Sequence, residues 1–67
     1  MLKISYWVDT YKTTLKSKKP RGYMLSWSFD RLLKYIKPEL EYREIDLKTV
    51  SCITLESENW QKSILRK

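Results

Sequence analysis

The pattern that most constrains the fold is an apolar stripe between Ser28 and Pro38. Its members recur at i, i+3, i+4 and i+7, the spacing that places side chains on one face of an α-helix. They are Phe29, Leu32, Leu33 and Ile36. Ser28 suits the N-cap position, and Pro38 lacks the backbone N–H that a continuing helix would use. The sequence therefore predicts an amphipathic helix that ends at Pro38 and buries its stripe against other elements.

The segments around this helix favour strands, because they are rich in β-branched and aromatic residues. Residues 2–15 begin with an alternation of apolar and polar side chains and predict a first strand. Residues 23–27 predict a short second strand, with Tyr23, Leu25 and Trp27 on one face. Residues 49–55 predict a third strand, and Ser57 is placed to cap a second, shorter helix over residues 57–66.

These elements predict an α+β protein, a small ββαβα domain that spans residues 1–67 as one unit. Its N-terminal hairpin would carry a basic tip and pack on the main helix. An all-α three-helix bundle is the alternative, because residues 4–15 also fit a helical stripe.

The predicted hairpin tip is a basic run at residues 16–22, which contains four cations and no acidic residue. The cations are Lys16, Lys18, Lys19 and Arg21. An exposed loop of this composition suits phosphate or an acidic protein surface. Arg31, Lys34 and Lys37 would make the exposed face of the main helix basic as well. The sequence thus predicts one cationic surface built from the run and the helix.

Charge is unevenly distributed along the chain, which carries a net charge of +6. Residues 1–37 contain nine Lys and Arg against two Asp, whereas residues 38–58 contain two against six Asp and Glu. Such asymmetry favours association with an anionic partner. We expect a nucleic-acid-binding accessory or regulatory protein, with DNA favoured over RNA as partner. Trp7 is the candidate for base stacking, because it lies opposite the apolar face of the first strand.

A rival hypothesis is a protein-binding inhibitor or adaptor, encoded by a phage or virus, that docks on an acidic surface of a host protein. In this case the basic face would supply charge complementarity, and an exposed Trp7 or Trp60 would act as an anchor. The sequence leaves the choice between the two partners open, as it does the oligomeric state.

Several function classes are disfavoured by the residues that the chain lacks. It has no His and a single cysteine, Cys52, so an intrachain disulfide is excluded and a zinc site is not expected. No Ser or Cys has a recognisable base, and we expect neither enzymatic activity nor a cofactor or metal. Four acidic residues after Pro38 are expected to form a solvated loop, namely Glu39, Glu41, Glu44 and Asp46.

The predicted location follows from the same features. Cys52 is expected to be a small buried residue, and a lone cysteine suits a reducing compartment. No apolar run approaches the length of a signal-peptide core or a membrane span. We therefore expect a cytoplasmic, non-secreted protein without a membrane partner. Residues 18–21 also fit the short Lys-Lys-x-Arg pattern of nuclear import signals, which allows a nuclear location in a eukaryotic cell.

Overall fold

The computed structural model describes residues 3–9, 11–15 and 22–66, and within them the chain forms a four-stranded antiparallel sheet with one α-helix. The strands are β1 (Lys3–Val8), β2 (Tyr11–Thr14), β3 (Val50–Glu56) and β4 (Gln61–Leu65), in the spatial order β2-β1-β3-β4. The α-helix is α1 (Phe29–Tyr42), and short 3₁₀-helices span Gly22–Ser26 and Leu47–Thr49. The predicted α+β class is confirmed, and the all-helical alternative is wrong.

The core lies between α1 and one face of the two central strands. On this face, Ile4 of β1 is opposite Leu55 of β3, and Tyr6 is opposite Ile53. All four side chains are at most 1% exposed. The fully buried side chains of α1 pack into the same cluster, and they are Leu32, Ile36 and Leu40. The predicted stripe is therefore the buried face of the helix, extended by one further turn to Leu40.

The helix does not end at Pro38, contrary to the sequence prediction. Ser28 caps its N-terminus as expected, with the hydroxyl oxygen 3.3 Å from the Arg31 backbone nitrogen that donates to it. Pro38 lies inside the helix, which continues to Tyr42. Burial of Leu40 in the core stabilises this last segment and outweighs the lost backbone hydrogen bond at Pro38.

The N-terminal hairpin also differs from the prediction. The chain reverses between Val8 and Tyr11, so β1 and β2 are its two strands, and Asp9 in the reversal has a φ of 51°. The predicted strand at residues 23–27 is wrong, because Gly22–Ser26 forms a 3₁₀-helix that buries Met24 in the core. Residues 16–21 lie outside the described residues. In sequence they connect β2 to this 3₁₀-helix, so the tip of the observed hairpin is not the basic run.

The predicted C-terminal helix at residues 57–66 is wrong. Its place is taken by β4, which pairs with β3 and sets Ile64 directly opposite Ile53. Ser57, predicted to cap a helix, instead donates its backbone N–H to the Trp60 carbonyl oxygen at 2.9 Å and closes the turn between the strands. The observed order of the main elements is ββαββ, and α1 covers one face of the sheet.

Candidate nucleic-acid interface

The predicted site residues fall into three groups. Lys16, Lys18, Lys19 and Arg21 lie outside the described residues. The helix cations, Arg31, Lys34 and Lys37, are all exposed on α1. Trp7 is 41% exposed, but its neighbours in β1 point towards the helix, so its ring lies on the opposite, open face of the sheet. The structure thus brings the helix cations together and separates Trp7 from them.

The three helix cations form one slanting row on the solvent side of α1. They are spaced three residues apart, which places successive Cβ atoms about 5–6 Å from each other. At one end of the row, Lys37 Nζ lies 3.9 Å from Glu41 Oε1, an exposed pair of little energetic weight. Lys34 and Lys37 also border a groove with Leu33 and Leu47. The row therefore runs beside a groove that is lined by two leucines and by Asp30.

The other end of the row reaches an aromatic cluster, which comprises Tyr23, Trp27 and Tyr35. The guanidinium carbon of Arg31 lies 4.3 Å from the centroid of the Trp27 ring. The Trp27 ring also contacts Tyr23, at 5.6 Å between centroids, and meets Tyr35 edge-to-face at 5.9 Å. The cation–π contact fixes the direction of Arg31 and leaves its N–H groups able to bind an anion.

Sequence reasoning missed this cluster. It placed Tyr23 and Trp27 on a strand, on the same face, and did not consider Tyr35. Part of the signal was nevertheless present, because Arg31 and Tyr35 are spaced i and i+4 on the predicted helix and therefore lie on one side of it, and Trp27 directly precedes the N-cap.

The 3₁₀-helix that carries Tyr23 is held by burial of Met24, by local hydrogen bonds and by a hydrogen bond from β4. Met24 is 2% exposed in the core, and its carbonyl oxygen accepts the Trp27 N–H at 3.1 Å. The Ser26 hydroxyl donates to the Tyr23 carbonyl oxygen at 3.0 Å. Lys62 of β4 donates to the Leu25 carbonyl oxygen at 2.7 Å. Tyr23, which is 59% exposed, is thus presented to solvent from a fixed element.

The acidic residues after Pro38 form the expected exposed loop only in part, because Glu39 and Glu41 lie on α1 whereas Glu44 and Asp46 follow it. Glu39 lies on α1 and is hydrogen-bonded to Arg43, and this bond raises the pKa of the Arg43 guanidinium above its usual value. Arg43 also donates to the Thr14 carbonyl oxygen of β2 at 3.1 Å. Asp46 accepts the Lys48 N–H at 2.9 Å and caps the second 3₁₀-helix. Glu39 and Asp46 therefore act within the fold, and the described residues contain no group of three that could hold a metal ion.

The open face of the sheet carries an apolar strip. Trp7 and Leu65 flank Cys52 on the two neighbouring strands, and Leu65 is 68% exposed. Cys52 is 8% exposed, which confirms the prediction of a small buried residue. Trp60, the other predicted anchor, is partly buried and packs against the core. Trp7 is therefore the better exposed of the two.

Comparison with known proteins gives no family assignment. No protein-family model matches this sequence, and no curated protein or solved structure matches it significantly. In the described part of the chain, none of the helices has both the length and the apolar character needed to cross a membrane.

Proposed function

We propose that this protein is a non-catalytic nucleic-acid-binding module, with DNA as the favoured partner. We assign the binding surface to the helix row, Arg31, Lys34 and Lys37, and to the basic run at residues 16–22, whose cations lie outside the described residues. The observation that carries the proposal is the exposed i, i+3, i+6 row on a helix whose opposite face is fixed in the core. A row of cations on a helix that is packed against the core suits the regularly spaced phosphates of a nucleic acid.

The distribution of charge around the row favours its Arg31 end. Asp30 and Glu41 lie on the flank of Lys34 and Lys37, whereas Arg31 faces the aromatic cluster. The first 3₁₀-helix adjoins that end, and its first residue, Gly22, directly follows Arg21 in the chain. We therefore assign the strongest phosphate contacts to Arg31 and to the basic run, which precedes this 3₁₀-helix in the sequence.

Binding of this kind has a recognisable dependence on salt. Each phosphate neutralised by Lys or Arg releases condensed counterions, so affinity falls steeply as the salt concentration rises. Contacts to phosphates also carry little sequence information, and selectivity among sequences should be mild.

The proposal is tested by titrating labelled duplex and single-stranded DNA and RNA at about 50 mM and about 200 mM salt. We expect binding at low salt that weakens strongly at the higher concentration. Lys34→Glu should bind nucleic acid more weakly than wild type at the same salt concentration. Lys12→Glu is the matched control, because it changes the net charge equally but lies on exposed strand β2, away from the helix row. Absence of binding to every nucleic acid at low salt would refute the proposal.

A second candidate function is supported by the open face of the sheet. An apolar strip of Trp7, Cys52 and Leu65 with exposed Lys3 and Lys12 on the same face suits docking on an acidic host protein. This interface would be independent of the helix row, because the sheet and the core lie between them.

A further inference from the structure

We infer that the ligand is single-stranded nucleic acid, and that Tyr23 stacks an unpaired base while Arg31 binds a neighbouring phosphate. This inference rests on the proposed function, whose cationic row explains attraction to phosphate but does not distinguish a single strand from a duplex. The aromatic cluster makes that distinction, because a flat exposed ring beside a cation matches an unpaired base beside its phosphate.

Within the cluster, Tyr23 is the ring available for stacking. Arg31 covers the Trp27 ring, and Tyr35 meets Trp27 edge-to-face. Both Trp27 and Tyr35 are partly buried and pack against the core. Tyr23 is the most exposed of the three rings, at 59%, and its centroid lies 5.6 Å from that of Trp27 with the two ring planes tilted by 53°. A base can therefore extend the cluster by stacking on Tyr23.

The 3₁₀-helix that carries Tyr23 is also held in place before binding. Met24 anchors the 3₁₀-helix in the core, and Lys62 bonds to it from β4. A ring that is already positioned loses little conformational entropy when a base stacks on it. Because base–aromatic stacking tolerates all four bases, this contact adds affinity without strong sequence preference.

A cation adjoins the Tyr23 ring through the cluster. Arg31 lies over the Trp27 ring, which in turn contacts Tyr23. In a duplex the base faces are stacked on one another, and exposing one costs a few kcal/mol. A duplex would therefore use the cations but not Tyr23, whereas a single strand would use both.

The test compares Tyr23→Ala with wild type on single-stranded DNA, single-stranded RNA of the same sequence, and duplex DNA. We expect a loss of about 5- to 150-fold in affinity for single strands and a change of less than about 2-fold for the duplex. Tyr23→Phe should retain wild-type affinity because it keeps the ring, and Tyr23→Leu should behave like Tyr23→Ala. The matched control is Tyr42→Ala, which removes an 86% exposed ring at the far end of α1.

The outcomes separate this inference from the function on which it rests. If wild type binds no nucleic acid, both fail. If it binds and Tyr23→Ala leaves single-strand affinity unchanged, or lowers single-strand and duplex affinity equally, base stacking on Tyr23 is refuted while nucleic-acid binding stands. A loss shared by Tyr42→Ala would also refute it. The DNA and RNA arms show which sugar the single strand carries.

Discussion

At the scale of single residues, the end of α1 shows backbone strain at a position that glycine usually occupies. Glu44 has a φ of 60°, and the backbone N–H of Ile45 donates to the Leu40 carbonyl oxygen at 2.8 Å while that of Glu44 donates to Glu41 at 3.1 Å. This is the Schellman arrangement of a helix C-terminus, in which the residue of positive φ is most often Gly. A non-glycine residue there costs about 1–2 kcal/mol.

We predict that Glu44→Gly raises the free energy of unfolding by up to about 1 kcal/mol, because relief of this strain exceeds the greater entropy of glycine in the unfolded chain. Urea denaturation measures the change. Glu41→Gly is the matched control, since the same substitution inside the helix should lower stability by about 1 kcal/mol. A loss of stability in Glu44→Gly would contradict the assigned C-terminal geometry.

At the scale of elements, α1 tolerates an internal proline because the residues after Pro38 make packing contacts and hydrogen bonds with the rest of the fold. Leu40 is fully buried, Glu39 is bonded to Arg43, and Arg43 in turn donates to Thr14 at the edge of the sheet. Arg43 is charged throughout the neutral range, as any arginine is, and its hydrogen bond to Glu39 raises its pKa further, so this contact does not depend on Arg43 titration near neutral pH. The burial of Leu40 and the hydrogen bonds of Arg43 therefore stabilise the segment after Pro38.

We predict that Pro38→Ala stabilises the protein, by about 1–3 kcal/mol, because it restores the N–H that can bond to the Lys34 carbonyl oxygen and removes the clash of the ring. Pro38 is exposed, so no core contact is lost. Thermal denaturation followed by circular dichroism checks the change. Lys37→Ala, on the preceding residue, should alter stability by less than about 0.5 kcal/mol. Destabilisation by Pro38→Ala would show that the proline is required by the fold.

The elements also show what the sequence can predict. The α1 stripe spans several turns, and the β-branched run at residues 49–55 has one reasonable interpretation, so α1 and β3 were predicted in type and approximate position. Residues 23–27 and 57–66 are short, and periods of 2 and 3.6 both fit them. Their structures depend on distant partners, namely burial of Met24 in the core and pairing of Ile64 with Ile53. The exposed helix cations could be predicted because their positions follow from the periodicity of α1 alone. The contact between Tyr23 and Trp27 could not, because it depends on the 3₁₀-helix that burial of Met24 stabilises.

At the scale of the whole molecule, the helix row and the open sheet face lie on opposite sides of the core, so any activities of the two surfaces should be separable. Trp7 and Leu65 lie on the sheet face, whereas Arg31 and Tyr23 lie on the helix side. Mutations more than about 7–10 Å apart that share no partner usually act independently. This separation gives a direct way to choose between a nucleic-acid ligand and a host protein.

We predict that Trp7→Ala leaves the affinity for single-stranded DNA within about 2-fold of wild type, because its ring is remote from the cationic row. If the sheet face binds a host protein, the same variant should lose a partner captured from nuclease-treated lysate, and Lys34→Glu should retain it. Tyr11→Ala, which removes a 52% exposed ring from β2, is the control for the loss of an exposed aromatic side chain. Loss of every captured partner upon nuclease treatment would contradict the protein-docking hypothesis. A large loss of DNA affinity in Trp7→Ala would show instead that the nucleic acid reaches the open face of the sheet.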